Sequence, residues 1–240
     1  MALIRRFSRS ARTVFSLAIA TACGAIALAL ACPANAATCN IAVAANFTEP
    51  AREIAQVFET KIGHKALLSF GATGQFYAQM TQAAPFEAFL SADEGTPKRL
   101  VDGGLAVADS LFTYAVGKLV LFSGQPGLVS GEQTLRDPKF SKIAIANPLT
   151  APYGAAAVET MKSLGVYEAL SNRIVQGNDI AQTFQFVDTG NAEIGLVALS
   201  QDKVGRDGLC RRISIGRSVR MPCFCETEQK TRPRKPFLLS

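Results

Sequence analysis

From residue 39 onward, short apolar runs alternate with helical periods. Residues 41–45 (IAVAA) read as a buried strand. Asn46 and Glu49 then stand at capping-box spacing, and Phe47, Ala51, Ile54, Ala55 and Phe58 recur at the spacing of one helix face up to Gly63. Residues 66–70 predict a second strand, 71–74 a loop, and 75–83 a helix. Residues 86–92 predict a third strand, and a helix starts near Pro97. A long apolar run covers 112–122, interrupted by Gly117 and Lys118. Residues 143–146 predict a strand, 148–153 a loop and 154–164 a helix closed by Gly165. A short strand at 174–175, a helix from about Asp179 and a strand over 194–199 complete the pattern. Repeated strand, loop and helix predict an α/β fold with mostly parallel sheets and helices on both faces.

Charge is unevenly placed. The 240 residues carry a formal net charge of +6, which invites a nucleic-acid or membrane reading. Residues 1–36 hold four Arg (Arg5, Arg6, Arg9, Arg12) and no acid. Residues 206–240 hold nine bases against three acids, which leaves 12 bases and 16 acids for 37–205. The body is therefore mildly acidic and shows no nucleic-acid footprint. The single histidine, His64, excludes a multi-histidine metal site and sits in a helix-exit sequence, poorly placed for a catalytic base.

The four N-terminal arginines, the apolar stretch after them and Ala34-Asn35-Ala36 make a secretory signal pattern, so the mature chain is expected to start at Ala37, in the periplasm. The other reading is an uncleaved anchor, since about 18 apolar residues can just span a bilayer; the cleavage motif favours removal. Cys32 is a weak lipoprotein-cleavage candidate. Cleavage at Ala37 would leave Cys39, Cys210, Cys223 and Cys225, which form no recognisable disulfide framework.

Four strand-to-helix junctions share a composition of Gly, Ala, Asn, Thr and Tyr with almost no charge: residues 44–48, 70–74, 151–155 and 177–181. Each would present a helix N-terminus with free backbone N–H groups, which attract anions through donors and dipole together. In parallel α/β sheets such loops gather at the carboxyl edge, where ligands bind. Singly, each is ordinary turn chemistry; four in one chain point to an anion site. Backbone N–H groups only donate, so such a site favours an oxyanion with no proton to offer and disfavours hydrogen phosphate. That argues for a tetrahedral dianion of the sulfate or molybdate kind.

At these loops the sequence resembles the periplasmic molybdate-binding proteins of ABC transporters. The resemblance is carried by Ala42-Val-Ala-Ala-Asn-Phe47, Ser69-Phe-Gly-Ala-Thr-Gly74 with Tyr77-Ala-Gln79, and Ala84-Pro-Phe-Glu-Ala-Phe-Leu-Ser-Ala-Asp93. It continues through Phe112-Thr-Tyr-Ala-Val-Gly-Lys-Leu-Val-Leu121, Asn147-Pro with Ala151-Pro-Tyr-Gly154, and Gly195-Leu-Val-Ala-Leu-Ser200. It implies a two-lobed periplasmic binding protein of type II, with the anion between lobes at 37–117 and 118–205. By position, Ala45 and Asn46 would supply donors from the first loop, Thr73 a hydroxyl and an N–H from the second, and Tyr153 and Ile180 backbone N–H groups from the third and fourth. Some relatives use a tyrosine hydroxyl after the last strand; Ala198 stands there in this chain. Asn147 and Asp93 read as loop organisers.

The resemblance implies capture of molybdate, and tungstate with it, for a membrane permease. The implied protein is a monomer and not an enzyme, with no cofactor and no nucleic-acid partner, and it would hold molybdenum only as the oxyanion. The alternatives are the same fold with sulfate, thiosulfate or a small organic anion; a secreted hydrolase, for which no G-x-S-x-G elbow is present; and a module acting through its basic tail. After about Val204 the resemblance stops. Residues 206–240 are rich in Arg, Pro and Cys without a clear period, and read as a shifted reading frame, a disordered end or a genuine basic tail.

Overall fold

A computed structural model describes residues 37–201 and, as backbone, 212–225. Residues 1–36, expected to be a signal sequence, and residues 202–211 and 226–240 lie outside the described residues.

The eight strands among the described residues are β1 (Thr38–Ala44), β2 (Lys65–Gly71), β3 (Ala88–Leu90), β4 (Phe112–Phe122), β5 (Ile143–Ala146), β6 (Ile174–Gly177), β7 (Ile194–Ala198) and β8 (Arg212–Cys225). They form one sheet in the order β2-β1-β3-β8-β4-β7-β5-β6. At one end β1 pairs in parallel with β2 and β3, and at the other β5 pairs in parallel with β6 and β7. The long strands β4 and β8 run antiparallel to each other and join the two groups. This is the α/β architecture expected from the sequence.

The helices are α1 (Thr48–Ile62), α2 (Thr73–Thr81), α3 (Gly95–Asp102), α4 (Gln133–Arg136), α5 (Pro152–Ser163), α6 (Tyr167–Leu170) and α7 (Ile180–Asp188). None of the described helices is long and apolar enough to cross a membrane. The central strands read as near-continuous apolar runs because both faces are covered: Ile143, Ala144, Ile145 and Ala146 of β5 and Leu119, Val120 and Leu121 of β4 are all buried. Truncating Leu119, Leu121 or Leu196 to Ala would cost about 2–5 kcal/mol, against a typical margin of about 5–15 kcal/mol.

Three differences from the sequence reading have a physical reason visible in the fold. The first helix starts at Thr48, after a 3-10 turn at Ala45–Phe47, and its N-cap residue is Phe47, with no side-chain cap bond. The Thr48 hydroxyl instead donates back to the Ala45 carbonyl at 2.9 Å. Second, only Ala51 of the expected apolar face is buried, while Ile54 is 58% and Phe58 38% exposed. The physical reason is position: α1 lies over β2, the outermost strand, so its apolar stripe overhangs the sheet edge. Third, residues 212–225 showed no strand period, yet their backbone pairs with β3 (Leu90 opposite Cys223) and with β4 (Phe112 opposite Cys223). Backbone pairing needs no side-chain alternation, which is why the pattern did not announce it.

Candidate functional site

The four loops that the sequence singled out follow the carboxyl ends of β1, β2, β5 and β6. Register aligns those ends in pairs, Ala44 beside Gly71 and Ala146 beside Gly177. Each loop leads into a helix, α1 and α2 at one end of the sheet and α5 and α7 at the other. Ala72 and Ala151 hold extended backbone before their helices, and Pro152 occupies the first position of α5, where its missing N–H costs nothing. Gly154 lets that helix sit on the strand end, because a Cβ there would lie only 2.2 Å from the Ala146 carbonyl oxygen.

One cavity of about 200 Å³, counting the space open to solvent, lies between these helix starts. It is lined by Ala44, Ala45, Asn46, Gly71, Ala72, Thr73, Ala92, Ala151, Pro152, Tyr153, Asp179 and Ile180. All five residues named from the sequence, Ala45, Asn46, Thr73, Tyr153 and Ile180, are therefore brought together. All five are buried, Asn46 at 2% exposure and Thr73 at 1%. The other lining residues Ala44, Gly71, Ala72, Ala151, Pro152 and Asp179 fall in the four loops singled out from the sequence, and Ala92 lies outside them. Ala92 follows the short β3 and carries no chemical signal; Asp179 was readable as a helix cap.

The donors can be counted by position. Thr73 and Ile180 are the first residues of α2 and α7, and Tyr153 is the second of α5. At those positions no intrahelical acceptor exists, and no other acceptor meets these three N–H groups among the described residues. The Thr73 hydroxyl oxygen accepts the Ala92 N–H at 3.1 Å, so the hydroxyl proton remains to be donated elsewhere. Three N–H groups, one hydroxyl and the positive ends of several helix dipoles thus converge on a small volume.

The loops behind these donors are tied down. Asp179 Oδ1 accepts the Gln182 N–H at 2.9 Å, while Gln182 Oε1 accepts the Asn178 N–H at 2.6 Å, a reciprocal cap. Gln75 Oε1 accepts the Ala72 N–H at 3.3 Å, the backward half of such a cap. Asn147 Oδ1 accepts the Leu149 N–H at 2.9 Å, and Asp93 Oδ1 accepts the Thr96 N–H at 2.6 Å; both organise loops outside the lining. Gly74 N–H reaches the Thr150 carbonyl at 2.8 Å, and the Ser200 hydroxyl reaches the Asn46 carbonyl.

Among the described residues, no Lys, Arg or His lines the cavity. Asp179 is its carboxylate, used as the α7 cap. Burial pushes the Tyr153 phenol well above its ordinary range, so it stays neutral, and no partner for its hydroxyl occurs among the described residues. No group of three or more His, Cys, Asp or Glu side chains gathers among the described residues, and His64 is exposed and outside the lining. The arrangement suits an anion held by neutral donors, without a coordinate bond to metal.

Residues 39–209 match the family model described as bacterial extracellular solute-binding protein. The chain is 55% identical over 180 residues to the molybdate-binding protein ModA of Azotobacter vinelandii, covering 75% of this chain and 71% of that one. It is 52% identical over 184 residues to the molybdate-binding protein ModA of Rhodobacter capsulatus, covering 77% and 73%. Among solved structures, the periplasmic molybdate-binding protein of Azotobacter vinelandii superposes with a TM-score of 0.76 at 32% identity, covering 80% of this chain and 87% of that one.

Proposed function

Because the chain belongs to the family of bacterial extracellular solute-binding proteins, we propose that it captures molybdate in the periplasm for uptake by an ABC transporter. The observation that carries this reading is the convergence of the Thr73, Tyr153 and Ile180 N–H groups on one cation-free cavity. The relatives' names select molybdate among the oxyanions that such donors could hold.

The ligand set we propose is Ala45, Asn46, Thr73, Tyr153 and Ile180. Molybdate is a tetrahedral dianion whose four oxygens only accept, so donors from several directions satisfy it together. Tungstate has the same shape and charge and binds with it. Hydrogen phosphate brings a proton that needs an acceptor, and backbone N–H groups only donate. Capping bonds hold each donor loop locally, so little order within the loops is lost on binding. Molybdenum is cargo held through its oxygens; no cofactor is needed and no bond of the anion is made or broken, so the protein is not an enzyme.

Capture works by closure of two lobes, 37–117 and 118–205, around the anion, and the closed monomer is the form offered to the permease. The dividing point falls inside β4, where only Leu119–Phe122 pair with β7. Export removes residues 1–36. The test is growth on limiting molybdate of a cell that lacks its own molybdate-binding protein and carries this one. Restored growth, lost on adding the Thr73→Val change, supports the reading; no restoration by folded, exported protein contradicts it.

A further inference from the structure

Gly74 follows Thr73 in the first turn of α2. Nothing in its conformation asks for glycine: it is not among the left-handed residues, and alanine is the better helix former at such a position. Space does ask for it. A Cβ on Gly74 would lie 3.0 Å from the Thr150 carbonyl oxygen and 3.1 Å from the Thr150 Cα. Both are backbone atoms, which cannot rotate aside as a side chain can. The bare Gly74 backbone also donates its N–H to that same carbonyl at 2.8 Å.

The two residues belong to different ends of the sheet. Gly74 follows β2, and Thr150 follows β5. Each adjoins a cavity donor: Thr73 precedes Gly74, and Tyr153 stands three residues after Thr150. The Thr150 side is firm, because the Asn147 carbonyl accepts the N–H groups of Thr150 at 3.3 Å and Ala151 at 2.8 Å. The Gly74 side is the start of a regular helix. Backbone therefore meets backbone across the cavity, between two stiff segments, with no side chain interposed.

We propose that the Gly74–Thr150 contact is the latch of the closed form: it forms when the cleft shuts over its ligand and slows release. This rests on the oxyanion reading above. Gly74 is then a positioning residue that acts by setting how closely the Thr73 and Tyr153 donors can approach each other. A ligand stabilises the closed form only through contacts which that form makes and the open form lacks, and a 2.8 Å bond with steric fit is such a contact. A methyl group at position 74 would hold the two segments apart.

The test uses the full exported chain with sodium molybdate as the probe. Gly74→Ala is expected to raise the molybdate dissociation rate at least about tenfold, with association unchanged within about twofold. This size corresponds to losing about one hydrogen bond's worth of closed-state preference. The unliganded melting temperature should stay level or rise, because alanine favours the helix; a merely structural role would lower it. Gly124→Ala, whose Cβ would meet only the Val187 carbonyl at 3.7 Å, serves as the control. Independently of any variant, the Gly74 amide of the unaltered protein should gain exchange protection on adding molybdate. An unchanged dissociation rate in Gly74→Ala, or equal Gly74 amide protection with and without molybdate, would overturn the latch while the oxyanion reading stood. Failure of the unaltered, folded protein to bind molybdate would overturn both.

Discussion

The Thr73 hydroxyl oxygen accepts the Ala92 backbone N–H at 3.1 Å, and both residues line the cavity. That one bond orients the hydroxyl. With one lone pair engaged by Ala92, the proton remains available for the proposed anion. Thr73→Val removes the donor and strands a buried N–H. A hydrogen bond to a charged group contributes about 1.5–3 kcal/mol, so molybdate affinity should fall about 10–100-fold, and unfolding free energy by about 1–3 kcal/mol. Thr73→Ser should keep most of both. Titration and denaturant melts of the two variants check the pair.

Tyr153 is expected to act through its backbone, not its phenol. Its side chain is 1% exposed and its hydroxyl finds no partner among the described residues. Tyr153→Phe should therefore leave molybdate affinity within about threefold, and leave stability unchanged or raised by about 1 kcal/mol, since an unsatisfied buried hydroxyl is removed. The alkaline limb of stability reports the same burial. The folded phenol titrates above its unfolded value of 10.0, so its contribution is complete below pH 10.0 and is lost as pH rises toward the folded value. Unfolding measured between pH 9 and 11 should show that loss in the parent and less of it in Tyr153→Phe.

Asp179 puts a carboxylate in the lining of the proposed oxyanion site. Asn caps helices as well as Asp does, so Asp179→Asn should preserve the Gln182 N–H bond while removing like-charge repulsion. Affinity for molybdate should rise about 3–10-fold at low salt, and the gain should shrink as salt is added. An acceptor carrying a proton-donating amide also changes selectivity: phosphate should gain no more than molybdate does. Titrations at two ionic strengths decide this.

The outer face of α1 leaves Ile54 58%, Val57 51% and Ile62 57% exposed. Exposed apolar patches promote association. Replacing Ile54 and Ile62 with Lys should cost less than about 0.5 kcal/mol each and reduce concentration-dependent light scattering. A loss of several kcal/mol would show instead that this face is covered.

Much of the fold was legible because each parallel strand is a short apolar run followed by small residues. The stretch IAVAA became β1 (Thr38–Ala44), and the run at 143–146 became β5 without change of bounds. Two of the site's helix starts were read late. Helices α2 and α5 begin two residues earlier than expected, at Thr73 and Pro152, because Ala72 and Pro152 supply extended and N1 backbone geometry that hydrophobic periodicity does not register. Those shifts matter, since they place Thr73 and Tyr153 in first turns, where N–H groups are free. The resemblance implied that the four loops meet, whereas the strand order, with β1 and β2 at one end of the sheet and β5 and β6 at the other, does not by itself bring them together. The Gly74–Thr150 contact could not be inferred, because it joins residues far apart in sequence through backbone atoms alone. Likewise, neither the pairing of β8 nor the overhang of α1 leaves a trace in the period of its own residues.

The most direct test of the account is isothermal calorimetry on the exported chain, shown by circular dichroism to be folded, with molybdate, tungstate, sulfate and phosphate. The account predicts one site per chain, similar affinities for molybdate and tungstate, and sulfate and phosphate weaker by at least about 100-fold, or about 2.7 kcal/mol. Equal affinity for all four anions, or no heat with molybdate from folded protein, would contradict it.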